Sequence, residues 1–246
     1  MINKRVIIAF FIAAVSVVGL KVLFEPIALT LSSLFSSNCS QATHFFNTDK
    51  KLIALTINNV PDNNHIFPHT TLGILDVLAN HEAKATFFIN IDKAKFPALI
   101  TSIVQQGHEL GHYLTDDRPS IKLGNKFETE FIEADRFLSQ FATITWFRPD
   151  RDRCNFNINR VVKKYNYKIA LGSHWSNDTN LVSPQFSNWY IKQNIRPGAI
   201  VILHDSDDDN KKGQTAIAVL NKIIPQLQQQ GYRFVTLSEL DRESSQ

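Results

Sequence analysis

Histidine, carboxylate and amide side chains recur in this sequence just after short apolar runs, at Asn58-Asn59, His108-Glu109, His112-Tyr113, Arg148-Pro149, Asp178 and His204-Asp205. Each type limits what chemistry is open to it. His204 follows an aliphatic run and precedes Asp205, and an imidazole beside a carboxylate suits the duty of a general acid. Asn58 and Asn59 are neutral amides, able to donate and accept hydrogen bonds but not to take a proton near neutral pH. Asn-Asn followed by Pro61 and Asp62 is also good turn chemistry, since Asn tolerates left-handed backbone. His108, beside Leu110, reads first as a packed core histidine. His174-Trp175 offers a ring that either stacks on a ligand or caps the fold. The run 205–209, four Asp and one Ser, reads as a solvated loop and secondarily as a cation site. His44, His65, His69 and His81 have no spacing that suggests a joint role.

These residues must be carried by elements, and the apolar pattern supplies them. Strand-like runs lie at 52–57, 85–89, 169–171, 199–203 and 234–237, with weaker ones at 109–111 and 146–147. Helical periodicity lies between them. Residues 70–80 put Leu72, Leu75, Val77 and Leu78 on one stripe, and 127–141 do so with Phe127, Phe131, Ala134, Phe137, Leu138 and Phe141. Residues 215–230 turn Ile217, Leu220, Ile223, Ile224 and Leu227 inward and stop at Gly231. Such alternation predicts one α/β domain with a parallel sheet, open or closed into a barrel, whose functional groups sit at the carboxyl ends of the strands.

The chain has 246 residues, 43% apolar and 20% charged, enough for a sizeable core and too apolar for a disordered chain. A net charge of +3, from 26 basic and 23 acidic side chains, is too small to support nucleic-acid binding through counterion release. Lys4 and Arg5 precede an apolar run from Val6 to Leu20 that continues past Lys21 to Phe24, the pattern of an export segment. Its length fits a signal peptide or an anchor. No small-x-small site follows within 21–26, which favours an uncleaved membrane anchor with its basic end inside and the rest of the chain outside. The predicted organisation is 1–25 as signal anchor or signal peptide, 26–50 as tether and 51–241 as the globular domain. Cys39 and Cys154 show no CxxC spacing, and either pair if exported or stay as two thiols.

In order and spacing, the clusters Thr56-Ile57-Asn58-Asn59-Val60-Pro61, Gly107-His108-Glu109-Leu110-Gly111-His112-Tyr113, Phe147-Arg148-Pro149, Asp178 and Leu203-His204-Asp205 resemble the polysaccharide deacetylase family. These are the NodB-like, metal-dependent carbohydrate esterases that remove acetyl groups from chitin, peptidoglycan and related glycans. The stretches Ala85-Thr86-Phe87-Phe88-Ile89, Arg196-Pro197-Gly198 and 231–240 add to the resemblance, which covers about residues 51 to 240. It implies a single distorted (β/α) barrel of about seven strands, a zinc-like divalent metal as cofactor and an N-acetylated glycan as partner.

The resemblance also exposes departures. Family members carry two Asp in the first motif, one as general base and one as metal ligand, where this chain has Asn58 and Asn59. Asp117, in Asp117-Arg118-Pro119-Ser120, matches the second-motif ligand of one branch, and Tyr113, four residues earlier, falls where a His ligand is expected. His112 stands four residues before Asp116, so a shift of one residue would restore a His and Asp pair. Arg148 matches the residue that pairs with the base, Asp178 lies near the fourth-motif Asp, and His204 matches the general acid. Pro149, Trp175 and Leu203 fall at substrate-contacting positions. The resemblance thus implies a deacetylase-like protein with an impaired metal site and a retained glycan groove. The alternatives are an active deacetylase with its cation on Asn59, His112 and Asp116 or Asp117, and a scaffold for a protein partner.

Overall fold

The computed structural model describes residues 41–60, 69–91, 96–114, 124–149, 154, 156–175, 183–205 and 211–246. Within them the chain runs β1 (Ala42–Thr43), β2 (Leu52–Val60), α1 (His69–Asn80), β3 (Thr86–Asn90), α2 (Pro97–Gln105), β4 (Glu109–Leu114) and α3 (Gly124–Leu138). It continues through β5 (Trp146–Pro149), α4 (Phe156–Lys164), β6 (Lys168–Ala170), β7 (His174–Trp175) and α5 (Pro184–Asn194). It ends with β8 (Ala199–His204), α6 (Lys211–Gln228), β9 (Arg233–Val235) and α7 (Leu237–Ser244). The strand order is β1-β6-β5-β4-β3-β2-β8-β7, and every pairing in it is parallel. β9 pairs Leu52–Ala54 at the start of β2, while β3 pairs the rest of that strand from Thr56.

The seven strands expected from sequence are present, joined by the two-residue strands β1 and β7. These two stand at the ends of the strand order, on β6 and β8, and the sheet curves as a distorted, incompletely paired barrel. Leu171 donates its N–H to Thr43 O at 2.8 Å, Ser173 donates to Ile200 O at 3.1 Å, and Phe46 donates to Gly198 O at 2.8 Å. Residues 42–46, assigned to the tether by sequence, therefore belong to the barrel. Gly198 is glycine for a steric reason: its φ is +80°, and a Cβ there would lie 1.8 Å from Phe46 O.

Strand alternation divides the core into two layers. Leu52 and Ala54 of β2 point into the barrel with Phe88, Tyr113, Trp146, Ala170 and Ile200. Their neighbours Ile53, Leu55 and Ile57 point outward, where Phe87, Ile89, Leu110, Val201 and Leu203 meet the helices. The amphipathic stripes predicted for α1, α3 and α6 face this outer layer, and α3 begins three residues earlier than its pattern suggested.

α7 closes the amino-terminal end of the barrel. Thr236 caps it, accepting from Glu239 N at 3.2 Å. The partly buried Glu109 at the start of β4 accepts from Thr86 Oγ1 at 2.8 Å, from Ser238 N at 3.2 Å and from Ser238 Oγ. Desolvation raises its pKa while these bonds oppose the rise. Thr236→Ala is expected to cost about 1 kcal/mol, the usual value of an N-cap, as read by urea unfolding. The sequence pattern extended β9 to Leu237, but the Thr236 cap turns that residue into a helix start.

Cys154 is disulfide-bonded, its partner lying outside the described residues. No helix among the described residues is long and apolar enough to cross a membrane. The expected anchor, residues 1–25, lies outside them.

Candidate active site

Because all strands are parallel, their carboxyl ends meet at one rim, and β2 brings Asn58 there. Asn58 is two residues beyond Thr56 and four beyond Ala54 on the interior-facing set, and it is 4% exposed. Asn59 follows with φ +62° at an irregularity in the β2–β3 register, a left-handed conformation that Asn tolerates better than most residues. β8 pairs Asn58 with His204. β5 supplies Arg148, and β4 supplies Tyr113, which is in register with Asn90 on one side and Arg148 on the other.

Arg148 is buried and its contacts define the floor of the site. Nε donates to Ala170 O at 2.9 Å, and Nη1 donates to Thr56 Oγ1 and to Asn58 Oδ1, each at 2.8 Å. The guanidinium stacks over the Phe88 ring, 4.1 Å from its centroid. Thr56 is itself fixed by donating to Val201 O at 2.8 Å. The arginine expected to pair with a carboxylate base thus holds the amide oxygen that stands in its place. Asn58 Nδ2 then lies 3.5 Å from His204 Nε2.

Asn59 Oδ1, the only atom of that side chain suited to a cation, accepts from Asn90 Nδ2 at 3.3 Å. Asn90, Thr56 and Phe88 were not singled out from sequence. Thr56 sits two residues before Asn58 on the same strand face, and Asn90 is the polar residue that ends the 85–89 run, so alternation and strand-end polarity were the available signals.

The structure does not bring His112 to this rim. β4 is a strand, so successive side chains leave opposite faces, and with Tyr113 turned inward His112 is turned out toward α3. Its ring is fully buried against Phe131, Phe147 and Tyr167, at centroid distances of 4.8, 5.2 and 6.4 Å. Neither ring nitrogen has a hydrogen-bond partner among the described residues, and burial lowers its pKa to about 3. A cation on Asn59 and His112 is incompatible with this arrangement. Leu203 also faces the outer core rather than the groove, whereas Pro149 is buried behind Arg148 at the end of β5. Trp175 is in register with Ile202 on β8. Asp116, Asp117 and Asp178 lie outside the described residues.

Two further expectations concern carboxylates and histidines near the rim. Asp205, read from sequence as part of a solvated loop, is fully buried, and its Oδ2 accepts from Thr71 Oγ1 of α1. His108 is the packed core histidine expected: Nδ1 accepts from Ala85 N at 3.3 Å, the ring lies 5.3 Å from Phe87, and desolvation, with Lys84 nearby, lowers its pKa to about 4.

Among the described residues the donor set does not suit a divalent cation. Asn59 offers an uncharged amide oxygen that already accepts from Asn90, Tyr113 offers a phenol, and His112 faces away; no group of three or more His, Cys, Asp or Glu among these residues could hold a metal. Among the described residues the rim holds the amides of Asn58, Asn59 and Asn90 and the His204 ring over the buried Arg148 guanidinium. It can orient a polar ligand by hydrogen bonds, and it has no group at the Asn58 position able to remove a proton.

Known proteins share this architecture. A sequence model of the polysaccharide deacetylase family matches residues 46–170. A peptidoglycan-N-acetylglucosamine deacetylase of Bacillus cereus is 32% identical over 199 residues, 79% of this chain and 90% of the relative. A crystal structure of a peptidoglycan N-acetylglucosamine deacetylase superposes with a TM-score of 0.72 at 28% identity, covering 81% of this chain and 92% of the other. A CE4 family pseudoenzyme from Bacillus anthracis shares the fold, with a TM-score of 0.68 at 20% identity over 81% of this chain and 68% of the other. The sequence motifs, the parallel barrel and these matches agree: the chain belongs to the polysaccharide deacetylase family.

Proposed function

We propose that this protein is an extracytoplasmic, deacetylase-like member of its family that binds N-acetylated glycans of the cell-wall type and hydrolyses them poorly or not at all. The observation that carries the reading is the state of Asn58. At the base position stands an amide whose oxygen is held by Arg148 and whose nitrogen faces His204. A general base is worth typically about 10²–10⁴ in rate, and a neutral amide does not replace it. Substrate class follows from the relatives, which are named for N-acetylglucosamine in peptidoglycan. Placement outside the cytoplasm is supported by Lys4 and Arg5 before the apolar run of residues 6–20, and by the disulfide at Cys154, a bond that persists in oxidising compartments.

Calorimetric titration of the full chain with N-acetylglucosamine oligomers, with and without a metal chelator, tests this reading. Binding should be measurable, the Kd should not change with chelator, and no acetate should be released. Acetate release that chelator abolishes would show an active metalloenzyme. Absence of any glycan binding would point instead to a protein-binding scaffold.

A further inference from the structure

We infer that Asn58 is a positioning residue that holds His204 in its Nδ1–H tautomer, so that the substitution at the base position also withdraws the proton expected of the acid. The chain of reasoning needs only donor and acceptor chemistry. A guanidinium can donate but not accept, so the Asn58 atom 2.8 Å from Arg148 Nη1 must be the carbonyl oxygen. That fixes the amide. Arg148 cannot rotate away to release it, because it is buried, bonded through Nε to Ala170 O and through Nη1 to Thr56 Oγ1, and stacked on Phe88.

With its oxygen held, Asn58 presents Nδ2 to His204, and an amide nitrogen only donates. The ring atom it meets, Nε2, is therefore the acceptor, and an acceptor nitrogen carries no proton. The ring proton resides on Nδ1. The backbone keeps the two side chains in place: Asn58 and His204 are register partners on β2 and β8, and Asp205 N donates to Asn58 O at 3.0 Å. A carboxylate at the Asn58 position would reverse the polarity, offering an oxygen that only a protonated Nε2 can meet. One Asp-to-Asn difference thus accounts for the loss of two proton-transfer roles. The inference rests on the reading of Asn58 as the base position, but it concerns the unliganded protein and stands or falls separately from glycan binding.

The test is a long-range proton–nitrogen correlation spectrum of the full chain, labelled with nitrogen-15 at histidine, recorded at about pH 8, above the ordinary histidine range. His204 is identified as the signal set lost in His204→Gln. The parent should show Nδ1 in the protonated range and Nε2 in the unprotonated range, and Asn58→Asp should interchange them. A protonated Nε2 in the parent would overturn the inference without recourse to the variant. An Nδ1–H pattern that persists in Asn58→Asp would overturn it as well, since some group other than Asn58 would then set the tautomer.

Discussion

Changing Asn58 and Asn59 to Asp and Tyr113 to His together is expected to raise zinc content from well below one to about one per chain, and to bring with it measurable release of acetate from N-acetylglucosamine oligomers. Each change acts at a defined place. Asn58→Asp gives the buried Arg148 a carboxylate to pair with, converting a neutral acceptor into a charge-assisted one. It also restores a base worth about 10²–10⁴ in rate. Asn59→Asp supplies negative charge at an atom that accepts from Asn90, and Tyr113→His supplies an imidazole from the interior face of β4, with Asp117 as the further ligand implied by the family motif. Without Asn58→Asp, the Asn59→Asp and Tyr113→His pair should gain zinc but not hydrolysis. If the triple variant binds zinc no better than the parent, the assignment of Asn59 and Tyr113 to the metal positions is wrong.

Acid should destabilise the protein through His112. The folded pKa of this imidazole is about 3 against an ordinary 6.5, so the unfolded chain takes up the proton first. The stability that the neutral buried ring carries is present above pH 6.5 and is lost as pH falls from there toward 3, by about 1.4 kcal/mol per pH unit. Between pH 6.5 and 4.5 the loss is about 2 kcal/mol. His108, lowered to about 4, acts in the same direction. His112→Leu keeps the ring's place among Phe131, Phe147 and Tyr167 apolar and should remove its share, so urea unfolding at the two pH values should show a correspondingly smaller difference. An unchanged difference would mean that His112 is not the buried neutral group described.

The strand at 52–57 was legible in the sequence as an apolar run, and the structure sets Thr56 and Asn58 on the same period-two face as Leu52 and Ala54. The rim followed from parallel topology, which needs only the order of strands. The His112 ligand idea failed for a physical reason: a spacing of four residues brings side chains together on a helix, but residues 109–114 form a strand, where the inward position belongs to Tyr113. Asp205 was misread because a run of acidic residues looks solvated, and nothing in the sequence reveals the Thr71 hydroxyl above it. Two-residue strands such as β1 and β7 are too short to show alternation, and they form only because β6 and β8 offer free edges. The helices α2, α4, α5 and α7, of 8 to 11 residues, are short enough that their apolar period is hard to see.

The Asn59–Asn90 pair shows what one strand end cannot say alone. Asn59 by itself reads as a weak ligand, and only the β3 neighbour reveals that its oxygen is already engaged. Elemental analysis of the full parent chain, after dialysis against a trace of zinc without chelator, addresses that most directly. Zinc well below one per chain is the expected result; about one zinc per chain, resistant to dialysis, would contradict it and would mean that the site holds a cation despite the amides at Asn58 and Asn59.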